Sequence, residues 1–299
     1  MKATSSPAAR ASAVPPAGVP AGTVVLATRH GKERVIAPAF EATFDCRVVV
    51  PPDLDTDRFG SFTRERTRVG TPRDAARAKA RAALEEVPEA RWAIASEGSV
   101  GPHPVLPGLA HDRELVLLVA RDTGLEVAGF HETTATNYDQ RVVVTVGAGL
   151  AFAERLGFPD HGIVVMGCAG LQPRPEDGVH KDLDDWPMLE RAIGTQIRDR
   201  GAAWIEADLR AHRNPTRMQA IASATSDLLR RFASRCPACQ SPGYAVVEYL
   251  PGRPCSDCGA PTRLPSAEVS GCGQCGHRET RLLGGFGLAN PAACVACNP

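Results

Sequence analysis

Arg91-Trp92-Ala93-Ile94-Ala95-Ser96-Glu97-Gly98-Ser99-Val100-Gly101-Pro102-His103-Pro104 is the stretch on which the fold turns. Trp92 to Ala95 is a short apolar run, which predicts a strand buried on both faces. Small residues, one carboxylate, one imidazole and two prolines follow, so the strand is expected to end at Ala95 and a loop to begin at Ser96. A carboxylate at the carboxyl end of a buried strand, beside glycines that let a ligand approach the backbone, is where open α/β sheets place their sites. Glu97 is therefore a candidate site residue, with a solvated turn glutamate as the competing reading.

Upstream, Thr23 to Thr28 reads as a first strand, Arg29-His30-Gly31-Lys32 as a tight turn, and Glu33 to Phe44 as a helix. Cys46 to Val50 is a second strand, and the strand–helix–strand order predicts a parallel pair with a right-handed crossover. Asp53 to Val69 is a polar loop carrying Asp55 and Asp57, which could close over a site. Thr71-Pro72-Arg73-Asp74 starts a helix to about Glu86, with Thr as N-cap, Pro at the first position and an acid near the positive end. Downstream, Glu114 to Ala120 and Leu125 to Phe130 form a hairpin around Arg121-Asp122-Thr123-Gly124. Strands are expected at 141–145, 163–166 and 204–209, and helices at 148–156, 188–198 and, capped by Asn214, from Pro215 to about Ser234. The remainder of 167–200 shows no readable pattern. The expected fold class is α/β: a mixed sheet flanked by helices over residues 23–234.

Lysine plus arginine and aspartate plus glutamate both number 34, so charge alone indicates no polyanion-binding surface. No apolar run is long enough to span a membrane. Residues 1–22 are rich in Ala, Pro and Ser and read as a disordered leader rather than a signal peptide. Ten cysteines without a signal imply a reducing, cytoplasmic setting, where metal ligation is favoured over disulfides.

Eight of those cysteines form four CxxC knuckles, Cys236/Cys239, Cys255/Cys258, Cys272/Cys275 and Cys294/Cys297. Each knuckle presents two thiolates to one ion, and two knuckles complete a tetrahedral shell. The intervening lengths suit hairpins, so the knuckles are paired in sequential order to give two zinc ribbons over residues 235–299, each with one structural zinc; spacing leaves a crossed pairing open. Arginines 235, 253, 263, 278 and 281 tilt this segment basic, yet its aromatics are few, so a solvated face is favoured over nucleic-acid binding.

Val24-Val25-Leu26-Ala27-Thr28 with Lys32, then Asp74-Ala75-Ala76-Arg77-Ala78-Lys79-Ala80-Arg81, then Ala93-Ile94-Ala95-Ser96-Glu97-Gly98, resemble three successive motifs of the inosine triphosphate pyrophosphatase and Maf-like nucleotide pyrophosphatases. The resemblance implies that Thr28 and Lys32 grip phosphates and that Asp74 and Glu97 hold magnesium. Ala211-His212-Arg213 is similar to a late Ser-His-Arg segment of that superfamily. The first turn departs from the pattern, with His30 where the superfamily has Asn. From residue 23 onward the chain also resembles a bacterial family of unknown function carrying HGKE, ASEGSxGPHP, NPTRM and paired CxxC segments.

Phosphoryl chemistry needs cations at the phosphates, a metal ion and a positioned water. Lys32 and Arg29 meet the first need, and Arg210, Arg213 and Arg217 cluster about a helix amino end that suits an anion. His30 and His103 are the imidazoles placed to act as general base. The expected activity is a magnesium-dependent nucleotide pyrophosphatase or related phosphohydrolase acting on a nucleotide or another phosphorylated small molecule. The alternative is a non-catalytic nucleotide- or nucleic-acid-binding module.

Overall fold

The structure, a computed structural model, describes residues 18–59, 70–285 and 287–299. The leader lies almost wholly outside these residues, as does the second half of the polar loop. The chain divides into two compact units, one spanning Val19–Arg230 and the other comprising the carboxyl-terminal residues from Arg231 to Pro299. Among the described residues no helix is long and apolar enough to cross a membrane.

The first unit opens with β1 (Gly22–Ala27), α1 (Glu33–Thr43), β2 (Cys46–Val49) and α2 (Pro72–Glu86). Then come β3 (Trp92–Pro102), β4 (Ala110–Ala120) and β5 (Glu126–Thr133). They form a mixed sheet of order β2-β1-β3-β4-β5, in which β1 is parallel to both β2 and β3 and the last three strands are antiparallel. One face packs Val25, Ala27, Ala93, Ala95, Leu115 and Leu117 against Ala76, Ala80, Ala83 and Leu84 of α2. Alternate residues Val24, Leu26, Ile94, Val116 and Leu118 are buried on the other face, as the two-residue period of a strand requires.

The strand expected to stop at Ala95 continues through Pro102. Every residue from Trp92 to Pro102 has a partner on β4, ending at Pro102 opposite Ala110. The loop expected from Ser96 is thus a strand, because a long antiparallel neighbour supplies the ladder bonds that local composition argues against. Gly98 is required there: a Cβ would collide with the Glu114 carboxylate and the Arg217 guanidinium. Beyond Ala95 the β1 ladder ends, so one edge of β3 opens above the end of β1.

A second sheet, not expected from the sequence, follows. It comprises β6 (Gln140–Val143), β7 (Ile163–Ala169), β8 (Gln172–His180) and β9 (Ala203–Ala207), ordered β6-β9-β7-β8 and wholly antiparallel. Helices α3 (Val146–Arg155) and α4 (Trp186–Arg200) accompany it, with Phe152, Leu189 and Ile193 packing against Val165 and Ile205. The unreadable segment contains β8, an edge strand in which Pro173 and Pro175 are tolerated and exposure alternates. Helix α5 (Pro215–Ala233) then lies against Gly129 of β5, where any side chain would strike the backbone at Ala224 and Leu228.

The second unit carries β10 (Ala245–Pro251), β11 (Pro265–Gly271) and β12 (Arg278–Leu282), an antiparallel sheet in that order.

Candidate functional site

The strand order β2-β1-β3 reverses direction at β1, so the carboxyl ends of β1 and β3 bound the topological switch point, the usual ligand crevice of such sheets. Thr28 follows the end of β1, and Gly31 takes the left-handed φ of 69° that the tight turn needs before α1. The turn delivers Lys32 into the crevice. Its Nζ donates to Ser96 Oγ at 2.9 Å and to the Ser96 carbonyl at 3.3 Å, and the residue is only 7% exposed. Burial, reinforced by Arg217 and Lys79 and opposed by Glu97 and Glu114, lowers the Lys32 amine from 10.5 to about 7.

Glu97 is ion-paired to Lys79 of α2, both buried. From β4, Glu114 accepts from Arg217 Nε at 2.5 Å, while the Arg217 guanidinium also donates to the Leu209 carbonyl. Asp112, on the same β4 face as Glu114, is 1% exposed, and neither of its oxygens has a hydrogen-bond donor among the described residues. Burial first, and then the neighbouring Glu114 carboxylate, raises Asp112 to about 7. Two lysines and an arginine thus lie among three carboxylates at the sheet end, Lys79 and Glu97 on the α2 face and Arg217, Glu114 and Asp112 on the other, where Lys32 reaches Ser96. Around this interior runs an outer ring. Arg29 Nη1 meets Asp55 Oδ1 at 2.8 Å, and His30 Nε2 meets Asp57 Oδ1 at 2.9 Å. The His30 ring stacks on His212 with centroids 5.1 Å apart. Arg210 is held by Asp208 and Asp182, and Arg213 by Asp184 and the Leu183 carbonyl. The arginine cluster expected to suit an anion is neutralised by carboxylates from three separate segments.

Thr28, Arg29, His30, Lys32, Glu97, Arg210, Arg213 and Arg217 therefore belong to one connected set. Asp74 does not join it: it is exposed and closes the α2 capping box, accepting from Thr71 N at 3.1 Å and Thr71 Oγ1 at 2.6 Å, and from Arg77 Nη1 at 2.9 Å. The hydrogen bonds from Thr71, then the pairing with Arg77, hold its carboxyl below the usual aspartate range. His103 is also elsewhere, in the β3–β4 turn, where its Nδ1 accepts from the amides of Val105 at 3.1 Å and Leu106 at 3.0 Å. Sequence reasoning missed the roles of Lys79, Asp112 and Glu114. The available signal was the i, i+2 spacing of Asp112 and Glu114, which extends the buried face of Val116 and Leu118 with acids.

A depressed lysine has a defined signature. Between pH 7 and 10.5 the unfolded chain holds a proton that folded Lys32 has lost, so stability rises with pH across that window and the penalty is full below 7. Lys32→Met is expected to raise Tm, by an amount equivalent to about 2 kcal/mol at pH 6 and much less at pH 10. Calorimetry at the two pH values checks this; a larger gain at pH 10 would show that the lysine is not buried in its charged form.

In the carboxyl-terminal unit the eight knuckle cysteines form two groups of four, and the sequential pairing is corrected. Cys236, Cys239, Cys272 and Cys275 form one group and Cys255, Cys258, Cys294 and Cys297 the other, with the sulfurs of each within 4.8 Å. Only one strand, not a hairpin, separates each knuckle from the next along the first three. With β10, β11 and β12 running alternately up and down, successive knuckles fall at opposite ends of the sheet, so first meets third and second meets fourth. Sγ–Sγ distances of 3.7 Å for Cys236–Cys275 and Cys239–Cys272, 3.9 Å for Cys255–Cys297 and 3.7 Å for Cys258–Cys294 match the edge of about 3.8 Å expected for four sulfurs ~2.3 Å from a tetrahedral ion. In every knuckle the amide four residues on donates to the carbonyl of the first cysteine, from Gln240, Gly259, Gly276 and Asn298. Each group could hold one metal ion.

These features define the class: an α/β protein with a buried ionic crevice at a strand-order switch, and a carboxyl-terminal unit built around two four-cysteine centres. The chain belongs to the family described as Domain of unknown function (DUF6671), whose model matches residues 79–299. That span includes Lys79, Glu97, Asp112, Glu114, Arg217 and all eight knuckle cysteines. No curated protein matches the sequence at a significant level.

Proposed function

We propose that the crevice binds the phosphates of a nucleotide and that the protein is a magnesium-dependent nucleotide pyrophosphatase or related phosphohydrolase, its two cysteine centres each filled by a structural zinc ion. The observation that carries the proposal is Lys32, buried at the switch point with an amine near neutrality and anchored on Ser96, one residue from Glu97. An arriving phosphate supplies the negative charge that makes protonation of this amine favourable, and the amino end of α1, beginning one residue later, adds its dipole. Arg29, half-exposed at the rim, is the second cation. Arg210, Arg213 and Arg217 position their loop through carboxylates rather than offering a vacant fork.

Glu97 and Asp57 are hard oxygen donors suited to magnesium, and Lys79, paired to Glu97 and acting on Asp57, already marks a place where cationic charge is favoured. When bound, the ion would neutralise charge on the phosphate oxygens. His30, oriented by Asp57, is the group positioned to take a proton from water. The all-sulfur, closed donor sets support zinc in a structural role.

One observation favours binding without turnover as the second reading: Glu97 is neutralised by Lys79, which leaves few uncommitted acids. Nucleic acid as the ligand is less well supported. The carboxyl-terminal unit has arginines 231, 235, 253, 263, 278 and 281 against Glu248, Asp257, Glu268 and Glu279. Two ions each held by four thiolates would carry this slight excess over to negative. Arg278 and Arg281 are in any case paired with Glu248 and Glu268.

The test is the full-length protein with magnesium over a nucleoside-triphosphate panel. Turnover is expected, with Glu97→Gln lowering kcat more than ~100-fold and Lys32→Ala weakening nucleotide binding at least ~10-fold. Saturable binding without turnover would select the second reading. No release of phosphate or pyrophosphate, with nucleotide binding unaffected by Lys32→Ala, would end both.

A further inference from the structure

Beside Glu97, on the face of the mixed sheet that carries α2, lies a cleft of about 300 Å³ lined by Arg73, Ser99, Arg113, Leu115, Phe130 and Glu132, among others. Ser99 follows Glu97 by two residues, so it lies on the same face about 7 Å further along β3. The floor is apolar: Leu115 is buried and Phe130, its partner across the β4–β5 ladder, is 44% exposed. The rim carries both signs of charge. Arg113 Nε lies 3.2 Å from Glu132, and Arg73 reaches Glu126 at 3.4 Å.

We infer that this cleft is the nucleobase subsite of the same centre, an inference that rests on the reading of the Lys32 crevice as the phosphate site. A phosphate is the wrong occupant, because Glu132 pairs with Arg113 and Glu126 with Arg73, so the cleft's arginines are already offset. A purely aliphatic ligand would leave the guanidinium, carboxylate and Ser99 hydroxyl without use. A flat ring with apolar faces and polar edges satisfies both, stacking on Phe130 while its edge exchanges hydrogen bonds with the Arg113, Glu132 and Ser99 side chains. The volume sits at the lower bound of small-ligand pockets and suits one base with its sugar, not a dinucleotide.

Binding of a nucleoside triphosphate, of inorganic tripolyphosphate and of the free nucleoside to the full-length protein separates the two proposals. The triphosphate should bind at least ~10-fold more tightly than tripolyphosphate. Phe130→Ala should erase that difference while leaving tripolyphosphate affinity unchanged, and Phe130→Tyr should restore it. Saturation-transfer signals from the free nucleoside should appear with wild type and vanish with Phe130→Ala, whatever happens at the phosphate site. Loss of tripolyphosphate binding alone would count against the phosphate reading but leave the subsite standing. Equal affinities for the two triphosphates, or nucleoside signals indifferent to Phe130→Ala, would overturn the subsite.

Discussion

Replacing Cys236 and Cys272 together by serine is expected to remove one metal equivalent from the purified protein, whereas replacing Cys236 and Cys255 removes both. The first pair lies in one sulfur cluster; the second takes one ligand from each. Sequential pairing demands the reverse result, so metal content measured on the two double variants decides between them. The energetic effect should be large. The segment from Arg231 onward has few large buried apolar side chains, its interior being mainly Phe232, Val269, small alanines and the cysteines themselves. A tetrahedral thiolate site contributes about 10–16 kcal/mol in small zinc-dependent folds, more than so small a core can replace. Chelation, or either double variant, is expected to render residues 231–299 susceptible to limited proteolysis while the 19–230 unit resists. Resistance of the carboxyl-terminal unit after complete metal removal would show that its core folds unaided.

The second large effect is expected at Arg217. Its guanidinium holds Glu114, and both side chains are fully buried. Arg217→Met leaves Glu114 without its cation beside the unpaired Asp112 carboxyl, and breaking such a pair costs about 3–5 kcal/mol. For a unit of this size that corresponds to a Tm fall of roughly 10 °C. Removing both charges, as Arg217→Met with Glu114→Gln, should recover much of the loss, because the penalty comes from an orphaned charge rather than from a missing attraction. The loss should also shrink on acidification. Asp112, already raised to about 7 by burial and Glu114, stays protonated below that pH and leaves a single carboxylate to neutralise. Additive effects of the two substitutions, or a cost identical at pH 5 and pH 8, would refute this account.

Much of the architecture was written in local pattern. The first strand, the turn to Lys32, the Thr71 capping box and the Asp122–Gly124 hairpin all depend on neighbours a few residues apart, and periodicity and cap chemistry expose them. The extension of β3 to Pro102 was hidden because its strand character comes from β4 and not from its own glycines and prolines. β8 was hidden for a related reason: an edge strand needs bonds on one side only, so prolines that would forbid a central strand do not forbid it.

The candidate site divides in the same way. Lys32 and Glu97 were visible as a charged residue in a turn and an acid after an apolar run. Asp74 had the same outward credentials, yet its carboxylate is taken by Thr71 and Arg77. Lys79, Asp112 and Glu114 became site residues only once α2 and β4 were laid against β3.

The amino-acid sequence by itself determined the secondary elements whose signals are local, the four cysteine knuckles, and the lysine turn after the first strand. Tertiary structure alone decided which knuckles share an ion, how far the central strand runs, and which of many charged residues are buried together. The division has one physical cause: a turn, a cap or a knuckle is stabilised by bonds within a few residues, whereas burial, pairing and a shifted proton affinity are set by groups that other elements bring in, from Lys79 and Glu97, 18 positions apart, to Glu114 and Arg217, 103 apart.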